Sequence, residues 1–267
     1  MNIVVTEPLN LAYDVRRALE AIGTVSYGPF DDAALRGELA KCEALMIRLS
    51  RFIDARLLNQ APTLRFILTA TTGLDHIDLD AAYRAGVRVI SLRDCPDEIR
   101  DVSATAEHCM GLILALTRRI PSAVAHVISG GWNRDLFWGH QLRGKRLGIV
   151  GYGRIGAMVA TYATAFGMDV VGFDQDLGKV TAPARPVAFE ELLATSDIVT
   201  VHVTASPESR QLINSEAVAR LKRGALLINT ARGFVVDEDA VATAVQNGYL
   251  AGVAADVISG EERWHLG

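Results

Sequence analysis

Cysteine is scarce: Cys42, Cys95 and Cys109 are the only three in 267 residues, and none stands in a CxxC pair. That spacing argues against a zinc ribbon and a disulfide framework, and no metal site is expected; it reads as reduced thiols in a reducing compartment. Basic residues are not in excess either. The 27 Lys and Arg against 31 Asp and Glu leave a net charge of −4, which argues against nucleic acid or an anionic membrane surface as the main partner. No apolar run reaches the ~18 residues of a membrane span. Met1-Asn2-Ile3-Val4-Val5 enters a strand-like run without the basic stretch of an export signal. A cytoplasmic protein is the expectation. Solenoid-period repeats and low-complexity tracts are also missing. Half of the residues are hydrophobic, which suits a globular chain, and the length suffices for two domains.

One stretch organises the rest. Leu147–Val150 reads as a buried parallel strand and feeds into Gly151-Tyr152-Gly153-Arg154-Ile155-Gly156, with helical sequence after it. In a G-x-G-x-x-G turn the first glycine permits a sharp turn and the second lets backbone approach a pyrophosphate. The third brings helix close to strand, and the helix N-terminus offers free N–H groups to the anion. A second apolar run, Val170–Phe173, ends in Asp174, which lies 174 − 156 = 18 residues past the last glycine. A carboxylate at about that spacing meets the ribose hydroxyls of an adenine dinucleotide. The order strand, glycine turn, helix, strand, acid therefore predicts a dinucleotide cradle.

Before it, apolar runs alternate with amphipathic ones from Ile3 to Ser91. That alternation predicts a parallel sheet with helices on both faces. No glycine-rich turn follows its first strand, so this lobe is not expected to hold the nucleotide. A polar segment, Arg93–Asp101, leads to a helix spanning Ala104–Ile120 that is apolar all round, with Pro121 as its break. A helix of that kind must be covered on every side, which predicts burial both between lobes and against a second copy, hence a homodimer. Trp132, Phe137 and Trp138 read either as an anchor for the partner or as local core. After Asp174 the α/β alternation continues, with strands at Ile198–Val203, Ala225–Asn229 and Ala251–Val257. Ligands of open α/β sheets bind beyond the carboxyl ends of the strands. Those ends are Asp174, then His202-Val203-Thr204, Thr230-Ala231-Arg232, and Asp256. Arg232, beside Gly233, is placed to fork onto a carboxylate or to make a structural salt bridge.

Gly151–Gly156, Asn229-Thr230-Ala231-Arg232-Gly233 and Ala251–Val257 resemble the signatures of the D-isomer-specific 2-hydroxyacid dehydrogenases, above all the phosphoglycerate-dehydrogenase-like members. Ala70–Asp78 resembles the family's substrate loop, and Ala106-Glu107-His108 the start of its long interlobe helix. The resemblance covers nearly the whole chain. It implies an α/β protein of two doubly wound parallel-sheet lobes: a flavodoxin-like substrate lobe over 1–95 and a Rossmann NAD-binding lobe over 96–267. It implies NAD as cofactor, held by Gly151, Gly153, Arg154, Ile155, Gly156, Asp174, His202, Val203, Thr204, Thr230, Ala231 and Asp256. Arg48, Thr72 and Gly73 would bind substrate, with Arg51 a weaker match to the same role. Catalysis would fall to Arg232, holding the acid and polarising its carbonyl, and to Glu261, which in the family pairs with an acid/base histidine.

That histidine is the departure. The family pattern places it about two dozen residues past Glu261, on a further strand, whereas the sequence runs to Gly267. His265, His108 and His202 do not match its position, and Glu262 stands where the family has proline. The expectation is a fragment lacking the last strand of the nucleotide lobe and the helix that completes the substrate lobe. A naturally short relative is the other reading. Function is accordingly expected to be NAD-dependent hydride transfer on a D-2-hydroxy or 2-oxo acid. The alternatives are a non-catalytic NAD(H)-sensing relative and a formate-dehydrogenase-like enzyme.

Overall fold

Each unit of the chain is built on one all-parallel sheet. A computed structural model describes residues 1–7, 11–49 and 51–260. Within it the chain separates into a first unit, Met1–Arg100, and a second that starts at Asp101. Glu261 and His265 lie outside the described residues.

In the first unit β1 (Asn2–Val5), β2 (Thr24–Tyr27), β3 (Ala44–Ile47), β4 (Phe66–Thr69) and β5 (Arg88–Ser91) lie in the order β2-β1-β3-β4-β5. This is the flavodoxin-like doubly wound order. The crossovers are α1 (Tyr13–Ile22), α2 (Asp32–Leu39), α3 (Ala55–Leu58) and α4 (Leu79–Arg84). Period-two alternation splits the strands between two cores. Val4, Leu45, Ile47 and Ile67 pack with Leu35, Leu39, Leu58 and Ala81, while Ile3, Val5 and Ala44 pack with Leu19. Asp31, Asp54 and Asp78 stand just before α2, α3 and α4 and accept N–H groups of their first turns, which satisfies donors that have no partner inside the helix.

The second unit opens with α5 (Ala104–Thr117) and α6 (Ile120–Ile128). Its sheet holds β6 (Arg146–Val150), β7 (Asp169–Phe173), β8 (Arg185–Pro186), β9 (Ile198–Val201), β10 (Leu226–Asn229) and β11 (Gly252–Ala255). Their order, β11-β10-β9-β6-β7-β8, is the dinucleotide-binding 3-2-1-4-5-6 arrangement, reversing at β6. The helices are α7 (Arg154–Ala165), α8 (Phe189–Thr195), α9 (Ser215–Arg220) and α10 (Glu238–Gln246). Leu147 and Ile149 face α5 and α7 through Ile113, Val159 and Ala163, whereas Val150 faces the opposite core with Leu192, Val218 and Val241. The short strand β8 escaped the sequence reading. Pro186 has no N–H to give a ladder, and β8 stands at the sheet edge, where proline is tolerated.

Two details of the α5 region differ from expectation. The helix ends at Thr117, not Ile120. Arg119 takes a left-handed conformation, φ 52°, and α6 starts at Ile120 with Pro121 in its first turn. Proline is at home there, because the N–H it lacks would have no helical partner; the break precedes it. The two helices meet at a 65° bend, and no single helix among the described residues is long and apolar enough to cross a membrane. The aromatic residues divide. Trp132 is 90% exposed and Trp138 74%, so local core packing fails for both, while the Phe137 ring lies 5.3 Å from that of His126. Ile120, Val124, Val127 and Ile128 of α6 are exposed with them.

Ile113 is fully buried between α5 and the sheet. Ile113→Ala is expected to cost about 2–5 kcal/mol, read as a lower urea midpoint with an unchanged far-ultraviolet circular dichroism spectrum before unfolding.

Candidate functional site

The carboxyl ends of β6, β7, β9 and β10 converge at the point where the strand order reverses. At the end of β6 the Gly151 backbone has φ 91° and bonds to Phe173, its N–H donating to that carbonyl at 2.8 Å. A Cβ on Gly151 would fall 2.7 Å from the Val203 nitrogen and 2.8 Å from the His202 carbonyl carbon. On Gly156 it would meet the Gly151 carbonyl oxygen at 2.4 Å. These two glycines exist because backbone passes backbone there. Gly153 differs: a Cβ on it would meet nothing within 4 Å, and the residue is exposed. It is also the N-cap of α7, with no side chain capping the helix. The free N–H groups of that first turn, with an open approach over Gly153, form an anion cradle.

Asp174 follows β7 and bends back onto the turn. Its Oδ2 accepts the Tyr152 N–H at 3.0 Å and its Oδ1 the Asp176 N–H at 3.2 Å, with Lys179 Nζ 3.8 Å away. A carboxylate has about four acceptor positions, so capacity remains for vicinal hydroxyls. Arg154, at the start of α7, donates to the Val102 carbonyl, and Ile155 packs into the α5 core.

Beyond β9 and β10 the wall is neutral and polar. His202 Nε2 lies 2.9 Å from Thr200 Oγ1 and 3.8 Å from Cys109 Sγ, and its Nδ1 lies 3.4 Å from Thr230 Oγ1. Burial pushes the imidazole pKa down to about 4 and the Cys109 thiol up to about 11. Both are therefore uncharged at neutral pH. Val203 is half-buried and Thr204 exposed. The loop after β10 is clamped by Asn229, whose Oδ1 accepts the Ala231 N–H at 3.0 Å and whose Nδ2 donates to the Arg232 carbonyl at 2.9 Å. Ala231 is buried and presents Arg232, whose Nη1 donates to the Ala231 carbonyl at 2.8 Å. Gly233 is required next to it, since a Cβ would lie 2.1 Å from the Ile258 carbonyl carbon. Asp256, after β11, is exposed and stands 3.6 Å from His108 Nε2 of α5.

Of the residues singled out from sequence, the second unit thus gathers Gly151 to Gly156, Asp174, His202, Val203, Thr230, Ala231 and Arg232 around one set of strand ends. In the first unit Arg48 follows β3, is exposed, and donates its N–H to Glu7 Oε1 at 2.8 Å. Arg51 is held instead by Asp32 Oδ1 at 3.3 Å and the Phe30 carbonyl at 3.1 Å. Thr72 and Gly73 follow β4 in a loop pinned by a Thr69–Thr71 hydroxyl contact of 2.9 Å and by Thr71 donating to the Gly73 carbonyl at 2.8 Å. Sequence reasoning missed Cys109, Thr200 and Asn229. For Thr200 a signal existed: spaced two from His202, it shares a strand face with it.

Comparison with known proteins agrees with this geometry. Residues 110–265 match the model of the D-isomer specific 2-hydroxyacid dehydrogenase NAD binding domain. A D-3-phosphoglycerate dehydrogenase of Bacillus subtilis (strain 168) is 41% identical over 227 residues, covering 84% of this chain and 42% of that protein. Among solved structures, the TT0316 protein from Thermus thermophilus aligns with a TM-score of 0.85 and 35% identity over 98% of this chain and 83% of that one. The D-lactate dehydrogenase from Aquifex aeolicus, complexed with NAD and lactic acid, gives 0.85 and 31% over 98% and 78%. The chain spans less than half the length of the curated relatives it matches, 42% to 44%.

The His202 environment sets a pH dependence. The unfolded chain binds a proton at His202 below about 6.5 but the fold resists it down to about 4. The stability that neutral His202 contributes is thus complete above pH 6.5 and lost as pH falls toward 4, with a slope of up to about 1.4 kcal/mol per unit. Urea midpoints followed from pH 7 to pH 4.5 should fall less steeply for His202→Gln than for wild type; parallel curves would remove His202 as the source.

Proposed function

The chain belongs to the D-isomer specific 2-hydroxyacid dehydrogenase family, and from that membership we propose that it is the NAD-binding part, with substrate-lobe elements, of an NAD-dependent 2-hydroxyacid dehydrogenase. The observation that carries the proposal is the junction of an open Gly153 cradle with the Asp174 carboxylate and the Asn229-clamped Arg232 loop on adjoining strand ends. Bound NAD(H) supplies or accepts the hydride at C2 of the acid.

The chain's residues divide the remaining work. The first turn of α7 and Gly153 hold the pyrophosphate, and Asp174 accepts from the adenosine ribose. Its charge repels a 2′-phosphate, and Gln175 and Asp176, not arginine, follow it, so NAD is preferred over NADP. His202, Val203, Thr204, Thr230, Ala231 and Asp256 line the nicotinamide side. Arg232 forks onto the substrate carboxylate and stabilises the charge that grows on the C2 oxygen in the transition state. In the first unit Arg48, Thr72 and Gly73 are assigned to the anionic substrate. Glu261 is assigned to orient the acid/base histidine of the complete protein. The substrate class is a small D-2-hydroxy or 2-oxo acid of the phosphoglycerate, hydroxypyruvate or glyoxylate kind, in the cytoplasm.

A homodimer through α6 belongs to the same proposal. Its exposed Ile120, Val124, Val127 and Ile128 recur at the spacing of one helical face, and the exposed Trp132 and Trp138 follow it in sequence, a composition that anchors interfaces. Ile128→Asp with Trp138→Asp should turn a dimer into a monomer by light scattering; an unchanged mass would place the interface elsewhere.

Two measurements test the chemistry. NADH titration by fluorescence should show tighter binding than NADPH, with Asp174→Ala weakening NADH and narrowing the difference. An unchanged preference would take Asp174 out of the cofactor site. In the complete protein Arg232→Lys should lower kcat/KM for 2-oxo acids by about 100-fold or more, because an ammonium cannot reproduce the fork. A near-normal kcat/KM would refute the role. Reduction of no 2-oxo acid, with NADH still bound, would favour a sensing relative.

A further inference from the structure

Beside Asp174 stands a cation that the nucleotide cradle does not use. Lys179 Nζ lies 3.8 Å from Asp174 Oδ1, and its side chain is 61% exposed where that of Asp174 is 17%. At that distance the pair is electrostatic, and no described residue accepts a hydrogen bond from the ammonium. Its three N–H donors are therefore open to a ligand. As an exposed ion pair it contributes little to stability.

The backbone that carries Lys179 is anchored on both sides. Asp176 Oδ1 accepts the Gly178 N–H at 3.0 Å, and the Asp176 carbonyl accepts the Lys179 N–H at 3.0 Å. Val180 is buried against Gly172, where an added Cβ would lie 2.9 Å from the valine side chain. Tyr152, from the glycine turn itself, donates its hydroxyl to the Thr181 carbonyl at 2.8 Å. The lysine thus leaves a held turn, next to the carboxylate assigned to the adenosine ribose.

Charge decides what such a group can do. From Asp174 to Ala184 the chain carries two carboxylates, Asp174 and Asp176, and one cation, Lys179. A ribose 2′-hydroxyl donating to Asp174 lies about 2.7 Å from the carboxylate, so a phosphate borne on that oxygen comes within reach of Nζ. The ammonium gains a charge-assisted hydrogen bond from a phosphate and only a weaker, neutral one from a hydroxyl. The two carboxylates outweigh one lysine, which keeps NAD ahead.

We propose that Lys179 is a specificity residue: it receives the 2′-phosphate of a phosphorylated dinucleotide and so limits the preference for NAD that Asp174 creates. NADP is admitted at reduced affinity and not shut out. The proposal rests on the assignment of Asp174 to the adenosine ribose.

NADH and NADPH titrated by fluorescence against the chain and its Lys179 variants test it. Lys179→Met keeps the reach of the side chain and removes its charge. The NADH-to-NADPH affinity ratio is expected to widen about three- to tenfold, the order of one screened charge-assisted hydrogen bond, with most of the change in NADPH. Lys179→Arg should keep the wild-type ratio, and added salt should shrink the gap between wild type and Lys179→Met. An unchanged ratio in Lys179→Met, equal losses for both nucleotides included, would overturn the proposal. Asp174→Ala separates this from the cofactor assignment. It should narrow the ratio, and Lys179→Met added to it should widen the ratio again. A ratio narrowed by Asp174→Ala but indifferent to Lys179→Met would keep the cofactor site and remove Lys179 from it. A ratio indifferent to Asp174→Ala would remove the cofactor assignment, and the role of Lys179 with it.

Discussion

Backbone crowding at the carboxyl end of β6 governs the second unit, because Gly151 lies against the chain leaving β9 while Gly156 lies against Gly151 itself. Both gaps are set by main chain, which cannot rotate away as a side chain could. The strand, the turn, α7 and the β9 exit are therefore fixed relative to one another before any ligand is considered. Asp174 adds a polar tie from β7 to the same turn through Tyr152. Preorganisation of the anion cradle follows from these contacts, so binding need not order the loop.

Around that rigid turn the electrostatics are graded. The charged side chains assigned to the site stand at its ends, Asp174 on one side and Arg232 and Asp256 on the other. The stretch between them is lined by a neutral imidazole, two threonine hydroxyls and a buried thiol. A neutral wall avoids the cost of burying an unpaired charge. Asn229 contributes differently. By bonding both sides of the loop after β10 it converts a flexible connection into a support for Arg232.

Much of this was legible in the sequence. The β6 run, the glycine turn and Asp174 are local, and their spacing reports directly on a turn that geometry allows few sequences to make. The first unit's strand order followed less directly, since alternation of strands and helices fixes a parallel sheet but not where it reverses. What escaped was long-range or conformational. Cys109 meets His202 across 93 residues, a pairing no local pattern encodes. Pro121 signalled a break correctly, but the chain breaks at Arg119 and uses the proline to begin the next helix. Trp132 and Trp138 look alike in composition whether they fill a core or stand on a surface; only the tertiary structure, which leaves both exposed, decides it.

The open space above Gly153 separates two kinds of selection on one motif. Gly151 and Gly156 are demanded by folding, and any side chain there strains the unit whether or not it binds anything. Gly153 is not, since a methyl group would touch no protein atom. A population of sequences chosen for solubility and thermal stability alone would keep the first and third glycines and let the second drift. On the proposed assignment of Gly153 to the pyrophosphate, loss of the middle glycine with its neighbours intact would therefore mark a descendant that has kept the scaffold and given up the nucleotide.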